Sequence, residues 1–149
     1  MRLEDEIQQP VFADEYHKLV VNILYTHGWL VTLLSSVLKK HDLTLAQFNI
    51  LRILRGQHPD PATITLLRER MLDKMSDASR LVERLRAKGL AERASDPEDR
   101  RRVAVRITDD GLAVLESIGN FEEVMNDAVD RLPEEQARQI NDALDTLRG

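Results

Sequence analysis

The 149-residue sequence contains no cysteine, and only 4% of its residues are aromatic. Without cysteine there is no disulfide, no thiolate metal site and no thiol redox sensor, which fits a reducing cytoplasm. So few rings disfavour a single-strand binder that stacks bases on aromatic side chains. A basic leader is also missing, because Met1-Arg2-Leu3-Glu4-Asp5-Glu6 is acidic where a secretory segment is basic. No run of about 18 apolar residues occurs. The nearest stretch, Leu19 to Leu38, is interrupted by Asn22, His27, Ser35 and Ser36, so no membrane partner is expected. There is no nucleophile elbow, no glycine-rich phosphate loop and no acidic metal cluster. His17, His27, His41 and His58 form no pair three or four residues apart. No catalytic residue, metal or cofactor is therefore expected, and an enzyme is disfavoured.

What is present is a core and a charged surface. Hydrophobic residues make up 42% of the chain and charged residues 32%, enough to exclude a disordered chain. The formal net charge of −5 speaks against a polyanionic partner, but its distribution matters more than its total. Between Leu66 and Arg106, twelve Lys and Arg face eight Asp and Glu, a local net of +4; the rest of the chain carries −9. A basic middle thus lies between acidic ends.

Tyr16, Val20, Ile23, His27, Leu30, Leu34, Val37 and His41 recur at alternating spacings of four and three. This heptad seam predicts a helix from about Ala13. About 28 residues would extend roughly 42 Å at 1.5 Å per residue, long for a small domain, so the stripe calls for a partner beyond its own fold. Thr44 with Gln47 three residues on predicts a capped helix start, and His58-Pro59-Asp60-Pro61 ends that helix. Thr63 predicts the cap of a short helix reaching about Met71. After a turn at Leu72-Asp73-Lys74, a second helix is expected from Met75 to Lys88, closed by Gly89. Two short helices across a tight turn form a helix-turn-helix. Beyond Gly89 the period becomes alternating. Leu90–Ala94 and Val103–Ile107 read as a hairpin around the charged tip Ser95 to Arg102. Thr108-Asp109-Asp110 opens a further helix with a hydroxyl cap and two acids, and the seam continues through Leu112, Leu115, Gly119, Glu122, Met125, Val129 and Leu132. Pro133 opens a last helix.

The second short helix carries Ser76, Asp77, Ser79, Arg80 and Arg84 away from its apolar positions. A helix in the major groove of a duplex reads base edges with residues near its N-terminus, and an arginine fork matches guanine. Arg80 is the expected guanine reader, and Arg84 is placed to meet phosphate. A solvated face, with Glu83 paired to Arg80 or Arg86, is the competing reading. At the hairpin tip Arg100, Arg101 and Arg102 repel one another unless acids or phosphates lie close. Asp96, Glu98 and Asp99 either satisfy them internally or, as for Asp99, orient one toward an electronegative minor groove. His27 and His41 on the first seam, with Tyr25 and Trp29 nearby in the same stretch, are candidates for a ligand pocket, with packing as the alternative.

The run Asp99-x-Arg101, five residues, Ile107-Thr108, two residues, Gly111 resembles the wing signature Asp-x-Arg-x5-Leu-Thr-x-x-Gly of MarR-type regulators, with Ile107 its one departure. Ser79-Arg80-Leu81-Val82-Glu83-Arg84-Leu85-Arg86-Ala87-Lys88-Gly89-Leu90 resembles the recognition helix of that family. Leu43-Thr44-Leu45-Ala46-Gln47-Phe48-Asn49-Ile50-Leu51 resembles its preceding helix. The resemblance implies a mainly α fold with a small β-hairpin wing. It implies an N-terminal dimerisation helix (1–42), a winged helix-turn-helix (43–108) and C-terminal dimerisation helices (109–149). It further implies a cytoplasmic, bacterial-type homodimer, most often a repressor, that binds double-stranded DNA at a pseudo-palindrome, with Arg101 in a minor groove. A small-molecule effector between the dimerisation and DNA-binding parts is a further implication. A winged-helix protein-interaction module without DNA binding is the alternative that the net charge keeps open.

Overall fold

The computed structural model describes residues 1–149. Its first long helix, α2 (Glu15–Leu38), starts at Asp14, whose carboxylate accepts the His17 amide at 2.7 Å. A short helix α1 (Leu3–Glu6) precedes it. There Glu4 pairs with Lys18, and Glu6 accepts the Tyr25 hydroxyl at 2.7 Å. These bonds hold the acidic N-terminal segment against α2, where the sequence suggested structure only from about Ala13. A 3₁₀ turn, Lys39–His41, finishes the helix, and Asp42 turns the chain at φ 54°. By length and composition alone, Glu15–His41 is long and apolar enough to cross a membrane, although Asn22, His27, Ser35 and Ser36 interrupt its apolar run. Its apolar residues repeat on one face, and that pattern suits another helix better than lipid on all sides.

Thr44 and Gln47 form the full capping box of α3 (Leu45–Gln57). The Thr44 hydroxyl accepts the Gln47 amide, and the Gln47 carbonyl accepts the Thr44 amide, both at 3.1 Å. Thr63 caps α4 (Ile64–Arg70) by accepting the Leu66 amide. Helix α5 (Ala78–Ala87) follows, and Gly89 at φ 73° supplies the left-handed step that ends it. The hairpin is β2 (Ala91–Ser95) against β3 (Val103–Ile107), in register from Ala91 opposite Ile107 to Ser95 opposite Val103. A third strand not foreseen from the sequence, β1 (Ala62–Thr63), pairs with the other edge of β3. The sheet order is therefore β1-β3-β2. Ala104 and Val105 are both buried, so the simple inside-outside alternation breaks in the central strand.

Thr108 caps α6 (Asp109–Ile118), accepting the Gly111 amide at 3.1 Å. Gly119 stops this helix, so the seam through Leu132 is not one helix but is divided between α6 and α7 (Phe121–Val129). The last helix is α8 (Glu134–Arg148). The chain divides into two compact units, Met1–Gly119 and Asn120–Gly149. The core of the first consists of Leu38, Ile50, Leu51, Leu54, Leu67, Met71, Val82, Leu85 and Val105, all fully buried. It joins α3, α4, α5 and the sheet into one block. Each such aliphatic side chain contributes about 1.5–3 kcal/mol by leaving water.

Candidate nucleic-acid interface

Helix α5 owes its placement to its apolar spacing. Ala78, Val82 and Leu85 are buried against the block, which turns Ser79, Arg80, Glu83 and Arg84 outward into solvent. The helix begins at Ala78 rather than Met75, because Asp77 caps it: its carboxylate accepts the Arg80 amide at 3.1 Å. Asp77 and Ser76 thus belong to the turn and not to the helix, contrary to the sequence-based boundary. A side-chain oxygen that satisfies an orphan N–H outcompetes a further half-turn of helix. Ser76 donates its hydroxyl to Asp73 at 2.8 Å, and Asp73 also accepts the Met75 amide at 2.9 Å. These bonds, the Ser76 hydroxyl first, hold the Asp73 carboxyl below its ordinary range, and the charge of His27 adds to the effect.

The arginines of this region fall into two groups. Glu83 binds Arg86 at 2.8 Å and Arg93 at 3.6 Å, and these cations, Arg86 foremost, lower its pKa. Arg106 pairs with Glu92 at 3.6 Å, and Arg102 with Asp99 at 3.7 Å. Arg80, Arg84, Arg100 and Arg101 pair with no carboxylate, and all four are exposed. The expected alternative partner of Glu83, Arg80, is thus left free. In the tip, Asp99 accepts the Arg101 backbone amide at 2.9 Å, so it shapes the turn under Arg101 while its charge goes to Arg102. Asp96, buried at the entry to the loop, accepts the Glu98 amide at 2.9 Å. Two of the tip's three acids are therefore spent on backbone geometry.

The Thr108 and Gly111 of the wing signature have a local physical role. Thr108 donates its hydroxyl to the Gly89 carbonyl at 2.6 Å while capping α6, tying the end of α5 to the end of the hairpin. A Cβ on Gly111 would lie 2.3 Å from the Leu90 carbonyl oxygen and 2.6 Å from Ile107 Cγ1. Only glycine lets α6 approach the hairpin this closely. Asn49, which the sequence did not single out, accepts the Leu72 amide at 2.9 Å and anchors the turn of the helix-turn-helix to α3. A lone asparagine inside a helical pattern carries no signal of such a distant bond.

Tyr25, His27, Trp29 and His41 do not converge. The Tyr25 hydroxyl is taken up by Glu6, the His41 ring meets the Ser117 hydroxyl at 3.3 Å, and His27 and Trp29 are exposed. A separate open hollow of about 350 Å³ lies among Ser35, Lys39, Asp42, Thr44, Gln47 and Lys88. There the Lys88 ammonium meets the Asp42 carboxylate at 3.1 Å. No three His, Asp or Glu side chains cluster as a metal would require.

With this geometry in view, the similarities to known proteins are specific. The MarR family model matches residues 41–102, the span from the end of α2 through the wing tip. The HTH-type transcriptional repressor IacR of Pseudomonas putida is 30% identical over 125 residues, 81% of this chain and 72% of that protein. Among solved structures, a variant of MarR from E. coli in complex with operator DNA superimposes with a TM-score of 0.77 at 23% identity, covering 99% of each chain. BpsR of Bordetella bronchiseptica, whose DNA binding is regulated by 6-hydroxynicotinic acid, gives 0.71 at 26% identity over 86% of this chain and 92% of that one. A mainly helical block with a three-stranded wing, the Asp99-to-Gly111 signature and these likenesses agree: the chain belongs to the MarR family of winged-helix, DNA-binding transcription regulators, which are not enzymes.

Proposed function

We propose that the protein acts as a homodimeric repressor on a pseudo-palindromic operator, with α5 in the major groove and the wing in the adjacent minor groove of each half-site. The observation that carries this reading is the division of the arginines. Arg80 and Arg84 on one exposed helix face, and Arg100 and Arg101 at the wing tip, are left unpaired, while Arg86, Arg93, Arg102 and Arg106 around them each meet a carboxylate. Unpaired, exposed guanidiniums suit phosphates and guanine edges. Arg80 and Ser79 in the first turn of α5 read bases, Arg84 meets the backbone, and Asp99 holds the Arg101 amide so that its side chain leads into the groove. Ser76 and Asp77 act by setting the start of α5, and Arg102 lines the tip beside its carboxylate. IacR, named a repressor, and MarR, solved on operator DNA, support this assignment.

Regulation by a small ligand fits the same frame, as BpsR responds to 6-hydroxynicotinic acid. The hollow at Lys39 and Lys88 touches both the end of α2 and the end of α5. An anion there would compete with Asp42 for Lys88 and act directly on the reading helix. The test of the main reading is a gel shift across a salt series with the DNA upstream of the chain's own coding sequence. The parent binds with an affinity that falls steeply as salt rises, and Arg101→Ala weakens binding while the thermal melt stays unchanged. Arg101→Ala binding as tightly as the parent overturns the wing assignment. Absence of any salt-sensitive binding favours a protein-interaction module.

A further inference from the structure

Two large apolar side chains stand in solvent on the turn that feeds α5. Leu72 is 84% exposed and Met75 is 93% exposed, although Met71 just before them is buried. The turn is braced. Asn49 accepts the Leu72 amide at 2.9 Å, Asp73 accepts the Met75 amide at 2.9 Å and the Ser76 hydroxyl at 2.8 Å, and the Lys74 ammonium donates to the Glu69 carbonyl. Scattered exposed hydrophobes are ordinary on a soluble surface. Here, however, two of them are held outward on a fixed backbone, three and six residues ahead of the first helical residue of α5. They flank Lys74 and enter the same helix end that displays Ser79 and Arg80.

The thymine 5-methyl is the apolar group that the major groove presents, and apolar side chains recognise it. The outward polar residues of α5, Ser79, Arg80, Glu83 and Arg84, end in hydrogen-bonding or charged groups rather than in an apolar surface matched to a methyl group. We propose that Met75 and Leu72 are specificity-determining residues that contact thymine methyl groups at the edge of each half-site nearest the α5 N-terminus. The proposal rests on the reading of α5 as the major-groove helix. The basic residues around the pair, Lys74 and Arg80, supply the attraction that brings a duplex to this corner.

The experiment starts from an operator recovered by selection from random duplexes. Each thymine is replaced in turn by deoxyuridine, which removes the methyl and nothing else. Binding is measured for the parent, Met75→Ala, Leu72→Ala and Arg101→Ala. In the parent, one or two thymines per half-site lose about fourfold in affinity on replacement, the factor expected for one methyl-sized group leaving water. That sensitivity vanishes in Met75→Ala or Leu72→Ala and persists in Arg101→Ala, whose overall binding is weaker. Exposure of both side chains means that the alanine variants fold as the parent does. Full methyl sensitivity in both variants overturns the proposal, as does a shift of the monomer–dimer equilibrium on either substitution, which would assign the pair to a protein interface. Specific binding without methyl dependence defeats this proposal alone. Failure to bind any duplex defeats the DNA-binding reading beneath it.

Discussion

At the scale of single residues, the wing signature is a packing device as much as a binding one. Gly111 sits where a Cβ would enter the Leu90 carbonyl, which also accepts the Thr108 amide at 3.2 Å. Backbone cannot yield as a flexible side chain can. Gly111→Ala should therefore cost about 3 kcal/mol, at the upper end for overpacking, read as a lower urea midpoint with an unchanged denaturant slope. Asp73 gives a second expectation, on pH. Its carboxyl is lowered by the Ser76 hydroxyl and the Met75 amide. A depressed folded-state pKa contributes stability that is complete above the unfolded value and is lost as pH falls through the folded one. Asp73→Ala should be less stable than the parent near neutral pH. The margin should shrink below about pH 4, near the ordinary carboxyl range; denaturant melts at a series of pH values check this.

At the scale of elements, α5 was legible as a helix because Ala78, Val82 and Leu85 repeat at the right spacing and Gly89 ends the run. Its start was misjudged by three residues. Met75 and Ser76 continue the pattern as well as any residues do, and only the Asp77 carboxylate bond to the Arg80 amide decides the boundary. The capping box of α3 and the hydroxyl cap of α6 were readable because each cap and its partner lie three residues apart. Strand β1 was not, since two residues made extended by pairing to the distant Ala104 and Val105 of β3 leave no local period. Of the four suggested pocket residues only His27 and His41 share the seam, and Tyr25 and Trp29 lie off it; closeness in sequence says nothing of whether side chains close over one hollow. Charge at this scale gives a further prediction. Glu83 pairs with both Arg86 and Arg93 at the edge of the exposed face of α5. Glu83→Gln should release both, tighten binding to non-specific duplex and steepen its salt dependence. Fluorescence anisotropy on a random duplex at several salt concentrations measures both effects.

At the scale of the whole molecule, the unanswered surface is α2. Tyr16, Leu19, Val20, Leu24 and Trp29 are exposed along it, and α8 leaves Ile140 and Leu147 in solvent. Water-facing stripes of this length on helices are the mark of an interface. The homodimer proposed above would cover them with a second copy and set two reading heads at a fixed separation. Alone, α5 offers two unpaired arginines, too few for a specific site. Doubled by a twofold axis, as proposed, the same surfaces would address two half-sites, with DNA symmetry mirroring protein symmetry. The most direct test is selection of bound sequences from random duplex DNA by the purified protein. The account predicts an inverted repeat whose half-site centres lie about one helical turn, ~34 Å, apart. Enrichment of a lone half-site, or of no sequence at all, would contradict it.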